Sequence, residues 1–252
     1  LGQRTRTWLL LHPEAYTDIQ IAFAGLVNPD GWVQNTRRNV NDVDLNRNFP
    51  AANYWDREGA DLSDPKYGTG PASEPETQTI VHLVETLQPS AIVTVHSPLD
   101  MLDFDGPAAD YARAGEAASG YRGDFTDDLG VYPGSFGSWA GNDLQIPTVT
   151  FELEQSLPTF GRHDRGLRAM AAMLEVAVRE EPSGQSVSDL LPASLPEALY
   201  TARKVGDSAG LRPLVVEEFG ASGRPVLVVA GLDGSEHSAF VAERLRVVLL
   251  AR

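Results

Sequence analysis

The stretch VLVVAGLDGSEHSAF, near the end of the chain, sets Asp233 and Glu236 just after an apolar run, where a helical pattern begins. Two carboxylates in such a corner can ligate a divalent cation. They can equally close a helix start, since Asp accepts from the free N–H groups of the first turn and Glu reaches back to the cap. A second concentration of chemistry is NPDGWVQNTRRNVNDVDLNRNFP, Asn28 to Pro50, the one dense basic patch of an acidic chain. Arg37, Arg38 and Arg47 offer planar forks that match carboxylates, and Asn46 adds a neutral donor. A hydrogen-bonded turn with solvated arginines has the same composition. His96 follows the apolar run AIVTV at once.

These residues need a scaffold, and strands alternate with helices along the chain. Ile19–Val27 reads as a buried strand ended by the turn Asn28-Pro-Asp-Gly31. The stretch 74–87 reads as a helix, with Pro75 in its first turn and Pro89 past its end. Ala91–Val95 and Pro147–Leu153 are further buried strands. Gly166–Arg179 is helical in period, with Leu167, Met170, Leu174 and Ala177 on one face. Residues 180–198, rich in Pro and Ser, read as a linker. Strands at Leu214–Phe219 and Val226–Ala230 follow, then a helix from Ser235 to about Leu250. The pattern predicts an α/β fold with a mixed, largely parallel central sheet and helices on both faces. In such sheets chemistry gathers beyond the carboxyl ends of strands, where His96 and Asp233 both fall.

Composition narrows the function classes. A chain of 252 residues with 42% hydrophobic content can build a sizeable core. Thirty-five acidic residues against twenty Lys and Arg give a net charge of −15, which repels nucleic acid and anionic lipid. No apolar run approaches the roughly 18 residues of a membrane span, and Trp8–Leu11 is too short for a signal-peptide core. Without cysteine there is neither disulfide nor thiolate chemistry.

DLNRNFP preceded by NPDG resembles the zinc metallocarboxypeptidases of the carboxypeptidase A type, and most closely their bacterial branch that includes the murein peptide amidases. GTGPASEPET (68–77), VTVHSPLDMLDFDGP (93–107) and YPGSFGSW…IPTVTFEL (132–153) continue the likeness in the family's order. The resemblance implies roles. His96 matches a metal ligand, and Glu152 matches the carboxylate that activates the water at the metal. Asn46 and Arg47 match the pair that holds a substrate's terminal carboxylate. Arg38 matches the oxyanion-stabilising arginine, with Arg37 a close competitor. Tyr132 matches the tyrosine that closes over substrate. Such chemistry wants three protein ligands, an open position for water and a nearby carboxylate.

The family's first two ligands, His-x-x-Glu, should precede NPDG, but Asn28 lies too near the start of this sequence. The segment GDSAGLRPLVVEEFG…RPVLVVAGLDGSEHSA resembles that missing opening. Reading on from Glu236 to Arg252 and then from Leu1 to Asn28 restores the family's separation. The order is that of a circular permutation: one domain spanning 1–252, in which 1–179 form the family's central and C-terminal part, 180–198 a joining linker and 199–252 its N-terminal part. A swapped oligomer would also complete the site. Asp233 then replaces the family's histidine beside Glu236, and two carboxylates with one histidine shift preference from zinc towards harder cations such as manganese. The resemblance implies a hydrolase acting on a small peptide with a free carboxylate, such as a murein peptide with a γ-D-glutamyl–diaminopimelate bond, in a bacterial cytoplasm. The alternatives are a carboxylate-binding protein of the same fold that does not cleave, and an N-acyl amino acid deacylase.

Overall fold

Alternation along three apolar strands divides the core into two layers. In the computed structural model, which describes residues 19–56, 64–125, 130, 132–154, 165–166, 168–170, 172–173, 176, 200–219 and 224–232, the strands form one mixed sheet. Its strands are β1 (Ile19–Ala24), β2 (Ala91–His96), β3 (Leu99–Asp105), β4 (Arg122–Gly123), β5 (Thr148–Glu154), β6 (Tyr200–Asp207), β7 (Pro213–Phe219) and β8 (Arg224–Ala230). Their order among the described residues is β4-β3-β5-β2-β8-β1-β7-β6. The four central strands β5, β2, β8 and β1 run parallel. β3 is antiparallel to β5, β7 is antiparallel to β1, and β6 is antiparallel to β7. The expected largely parallel mixed sheet is therefore present.

Ile21, Phe23, Val93, Val95, Val226 and Val228 face one layer, together with Tyr111, Ala169, Met170 and Met173. Tyr111 belongs to a helix, α3 (Ala109–Ser119), and the methionines to the helical residues among 165–176. Ala22, Ile92, Leu227 and Val229 face the opposite layer, where Ile80, Leu83 and Val84 of α2 (Pro75–Leu87) pack on them. Helices thus cover both faces, and each fully buried Val, Leu, Ile or Phe contributes about 1.5–3 kcal/mol. Pro75 opens α2, and Gln88 ends it in the left-handed region at φ 47°.

A short first helix, α1 (Pro29–Gln34), follows β1. Asn28 caps it by accepting from the Gly31 N–H at 2.8 Å, and Asn35 closes it in the left-handed conformation. The strands at 99–105 and 200–207 and helix α3 were not anticipated from the sequence. The expected linker 180–198, the helix from Ser235, and the ligands Asp233 and Glu236 lie outside the described residues. No described helix is long and apolar enough to cross a membrane.

Candidate active site

Because β5, β2, β8 and β1 are parallel, their carboxyl ends share one edge of the sheet. His96 is the last residue of β2 and only 5% exposed. It stands directly across the ladder from Glu152 on β5, while Val95 pairs with Ala230 at the end of β8. Beyond Ala230 the chain turns through Gly231, at φ 68°, and Leu232. Fully buried Asn28 ties this turn to its surroundings. Its N–H donates to Gly231 O at 2.8 Å, and its Nδ2 donates to Arg37 O at 3.0 Å and more weakly to Leu232 O at 3.5 Å.

A cavity of about 270 Å³ opens on this edge. Arg37, Asn46, Arg47, His96, Tyr132 and Glu152 line it, from stretches far apart in sequence. Asp44 organises the cationic side. It caps the 3-10 turn Leu45–Arg47 by accepting from Asn46 N–H at 3.1 Å, and it accepts from Arg37 Nε at 2.7 Å. Asn46 Oδ1 accepts from the Phe136 N–H at 2.9 Å, which leaves its Nδ2 to donate to a ligand. The Arg47 guanidinium lies 4.5 Å from the Tyr132 ring centroid, a cation–π contact. Burial pulls the Arg47 pKa below its ordinary value, Asp44 opposes this, and Arg37 adds to it. An arginine so placed stays charged and is poorly satisfied by water, which favours an incoming carboxylate. Gly134, at φ 71°, permits the close approach of this loop, since a Cβ there would sit 2.5 Å from Arg47 O.

Arg38, expected to stabilise the oxyanion, is not among the residues that line the cavity. Its Nη1 lies 2.9 Å from Asp42 and its Nη2 3.6 Å from Asp64, facing the turn at Pro65–Tyr67. Adjacent residues of an open chain point to opposite sides, and here Asp44 holds Arg37 on the cavity side. The other expected binding and catalytic residues, Asn46, Arg47, Tyr132, His96 and Glu152, come together.

Sequence reading missed the cavity floor. Thr94, Thr150 and Asp103 occupy one row across β2, β5 and β3, and Asp105 lies two residues along β3; all four line the cavity. Thr94 Oγ1 and Thr150 Oγ1 are hydrogen-bonded at 3.0 Å. The signal was available in LDMLDFD, where Asp103 and Asp105 alternate with buried Leu102 and half-buried Phe104.

Among the described residues, no three His, Asp or Glu side chains gather as a metal cluster. His96, an imidazole fixed at a strand end beside a carboxylate, fits a ligand role.

Residues 14–106 match the zinc carboxypeptidase family model, a segment that contains Arg37, Asn46, Arg47 and His96. The fold agrees: the solved structure of thrombin activatable fibrinolysis inhibitor superposes with a TM-score of 0.50 at 23% identity, over 62% of this chain and 50% of that one. Over residues 14–106 the chain is thus similar to the zinc carboxypeptidases. Among individual proteins it is similar to murein peptide amidase A of Escherichia coli K12, 39% identical over 137 residues, covering 50% of this chain and 54% of that protein. Murein peptide amidase A of Vibrio campbellii is 36% identical over 138 residues, with the same coverage. The chain spans about half the length of these curated relatives.

Proposed function

We propose that this chain is a metal-dependent hydrolase that cleaves an amide bond beside a free carboxylate. The observation that carries this reading is the single cavity in which Arg37, Asn46, Arg47, Tyr132, His96 and Glu152 meet. Asn46 Nδ2 and the Arg47 fork receive the substrate carboxylate, and half-exposed Tyr132, against Arg47, covers it. Glu152 takes the proton of the attacking water and passes it to the leaving amine nitrogen. Arg37, its Nε fixed by Asp44, donates to the oxyanion as the carbonyl oxygen gains charge. His96, with Asp233 and Glu236, would hold a divalent ion, zinc or manganese, which when bound supplies Lewis acidity. The insertion of β8 between β2 and β1 supports the permuted order, because the residue after Leu232 is Asp233. The relatives' names point to small murein peptides as substrates.

Asp233, standing where the family has histidine, favours a second reading, carboxylate binding without cleavage. Glu152→Gln separates the two. Expected are turnover of a murein-peptide panel by the parent chain, its loss in the variant, and retained ligand binding by calorimetry. Equal turnover in both proteins refutes the role of Glu152. Binding without turnover in either, after loading with zinc or manganese, establishes the second reading.

A further inference from the structure

Asn39 and Asn48, both buried, stand at the two ends of one stretch, and both are bound to Glu74, the residue that opens α2. Between them lie Asp44, Asn46 and Arg47, and Arg37 comes two residues before Asn39. Asn39, Asn41, Asn48 and Glu74 are not among the residues that line the cavity.

At one end, Glu74 Oε2 accepts from Asn39 Nδ2 and from Asn41 Nδ2, each at 2.8 Å. Asn39 Oδ1 accepts from the N–H groups of Asn41 and Val43 at 3.0 and 3.1 Å, which closes the turn that delivers Asp44. At the other end, Glu74 N–H donates to Asn48 Oδ1 at 3.1 Å. Asn48 Nδ2 donates to Ser73 Oγ at 3.0 Å, and Ser73 Oγ donates to Glu74 Oε1 at 2.9 Å. Asn48 N–H turns back to Leu45 O at 3.1 Å, so the 3-10 turn that bears Asn46 and Arg47 is fastened to the same residue. A bond from Asp44 N–H to Lys66 O at 2.9 Å holds the middle, which leaves both ends to Glu74.

Glu74 occupies the cap position of α2, yet its carboxylate makes no bond to the free N–H groups of that helix. A buried carboxylate needs its oxygens satisfied, and here the donors come from the site-bearing stretch instead. Glu76 does not duplicate this role. Its oxygens lie 3.3 and 3.4 Å from Asn39 Nδ2, and its Oε1 also accepts from Ala209 N–H at 3.1 Å.

We infer that Glu74 is the positioning residue of the carboxylate-docking pair, holding both ends of the stretch so that the Asn46 amide and the Arg47 fork converge on one carboxylate. Glu74 itself touches no substrate. The inference rests on the proposed docking role of Asn46 and Arg47.

The test is a ratio measured on the full chain. Two probes serve, a γ-D-glutamyl–diaminopimelate peptide and the same peptide amidated at the carboxylate beside the scissile bond. Calorimetry, or kcat/KM where the peptides are turned over, gives the preference for the first. Molecules that fail to fold bind neither probe, so the ratio reads docking geometry and not the folded fraction. The parent chain should prefer the free carboxylate by about ten- to one-hundred-fold, the usual gain of charge-assisted hydrogen bonds. In Glu74→Ala that preference should fall about tenfold, because bidentate recognition depends on fixed geometry. Glu74→Gln keeps an acceptor for Asn39 and Asn41 and should retain most of it. Asn41 is exposed, so Asn41→Ala supplies a milder lesion should Glu74→Ala fail to fold, with a fall of about two- to threefold expected. An unchanged ratio in Glu74→Ala, or in Asn41→Ala where Glu74→Ala does not fold, overturns the inference and leaves the docking reading intact. Equal weakening of both probes marks a merely structural role and overturns it too. A parent chain without preference removes the docking reading, and the inference with it.

Discussion

Replacing Asn28 should loosen the site from beneath without touching substrate. Its Oδ1 accepts from the Gly31 N–H at 2.8 Å and its Nδ2 donates to Arg37 O at 3.0 Å, with a weaker contact to Leu232 O at 3.5 Å. Asn28→Ala removes a helix cap, typically worth about 1 kcal/mol. It also strips a donor from buried backbone oxygens, and a group left unsatisfied in this way costs about 1–3 kcal/mol. Together these give about 2–4 kcal/mol, a large part of the 5–15 kcal/mol of a typical domain. Asn28→Asp discriminates between the two halves of the role. It keeps the cap acceptor but sets an anion against two carbonyl oxygens. That raises its folded pKa above the unfolded value of about 3.9, so the penalty is absent well below that value and grows as pH rises above it. Urea unfolding at pH 7 should rank wild type above Ala and Ala above Asp, with the gap between the two variants narrowing towards pH 4. An Asp variant as stable as wild type at pH 7 would show that the donated hydrogen bonds contribute nothing.

Arg37→Ala should lower kcat/KM by about a hundredfold, the usual loss of one oxyanion donor, while Arg38→Ala changes it less than threefold; steady-state kinetics on one peptide substrate decide this, and equal losses would refute the assignment. Fully buried Glu76 has its pKa raised above 4.5, first by burial. Its contribution to stability is therefore complete below about pH 4.5 and is lost as pH rises through the folded value. Glu76→Gln should flatten that decline in midpoints from urea unfolding measured across pH, and a variant curve parallel to wild type would argue against the cause.

The apolar strands were legible because each is a short buried run bounded by turn residues; NPDG announced the end of β1, but it was read as a turn and in fact opens α1. Strand β6 was not, since Arg203 and Lys204 lie in a strand that, among the described residues, stands at the edge of the sheet. That Asn46, Arg47, His96, Tyr132 and Glu152 meet in one cavity was legible through motif order. The choice between Arg37 and Arg38 was not, because sequence adjacency hides which side of the chain each faces. It turns on Asp44, whose carboxylate is bound both to Arg37 and to the turn that carries Asn46. Asp103 and Asp105 were overlooked for a related reason. Their meaning depends on register against Thr150 and Thr148, which the sequence does not state.

β8 shows why the last part of this chain belongs with the first. It lies between β2 and β1, hydrogen-bonded to both, and Val226, Leu227, Val228 and Val229 are each no more than 3% exposed. At about 1.5–3 kcal/mol apiece, burying those four side chains contributes about 6–12 kcal/mol, comparable to the whole net stability of a domain. Their neighbours Ile21, Phe23, Val93 and Val95 lose packing with them. A chain ended after residue 199 should therefore show no cooperative urea transition and little sheet signal by circular dichroism. It should regain both when residues 200–252 are supplied as a separate peptide. If the shortened chain unfolded cooperatively alone, with a midpoint near that of the full chain, β1 and β2 would not depend on β8. The cavity edge would then be assembled without the strand that leads to Asp233.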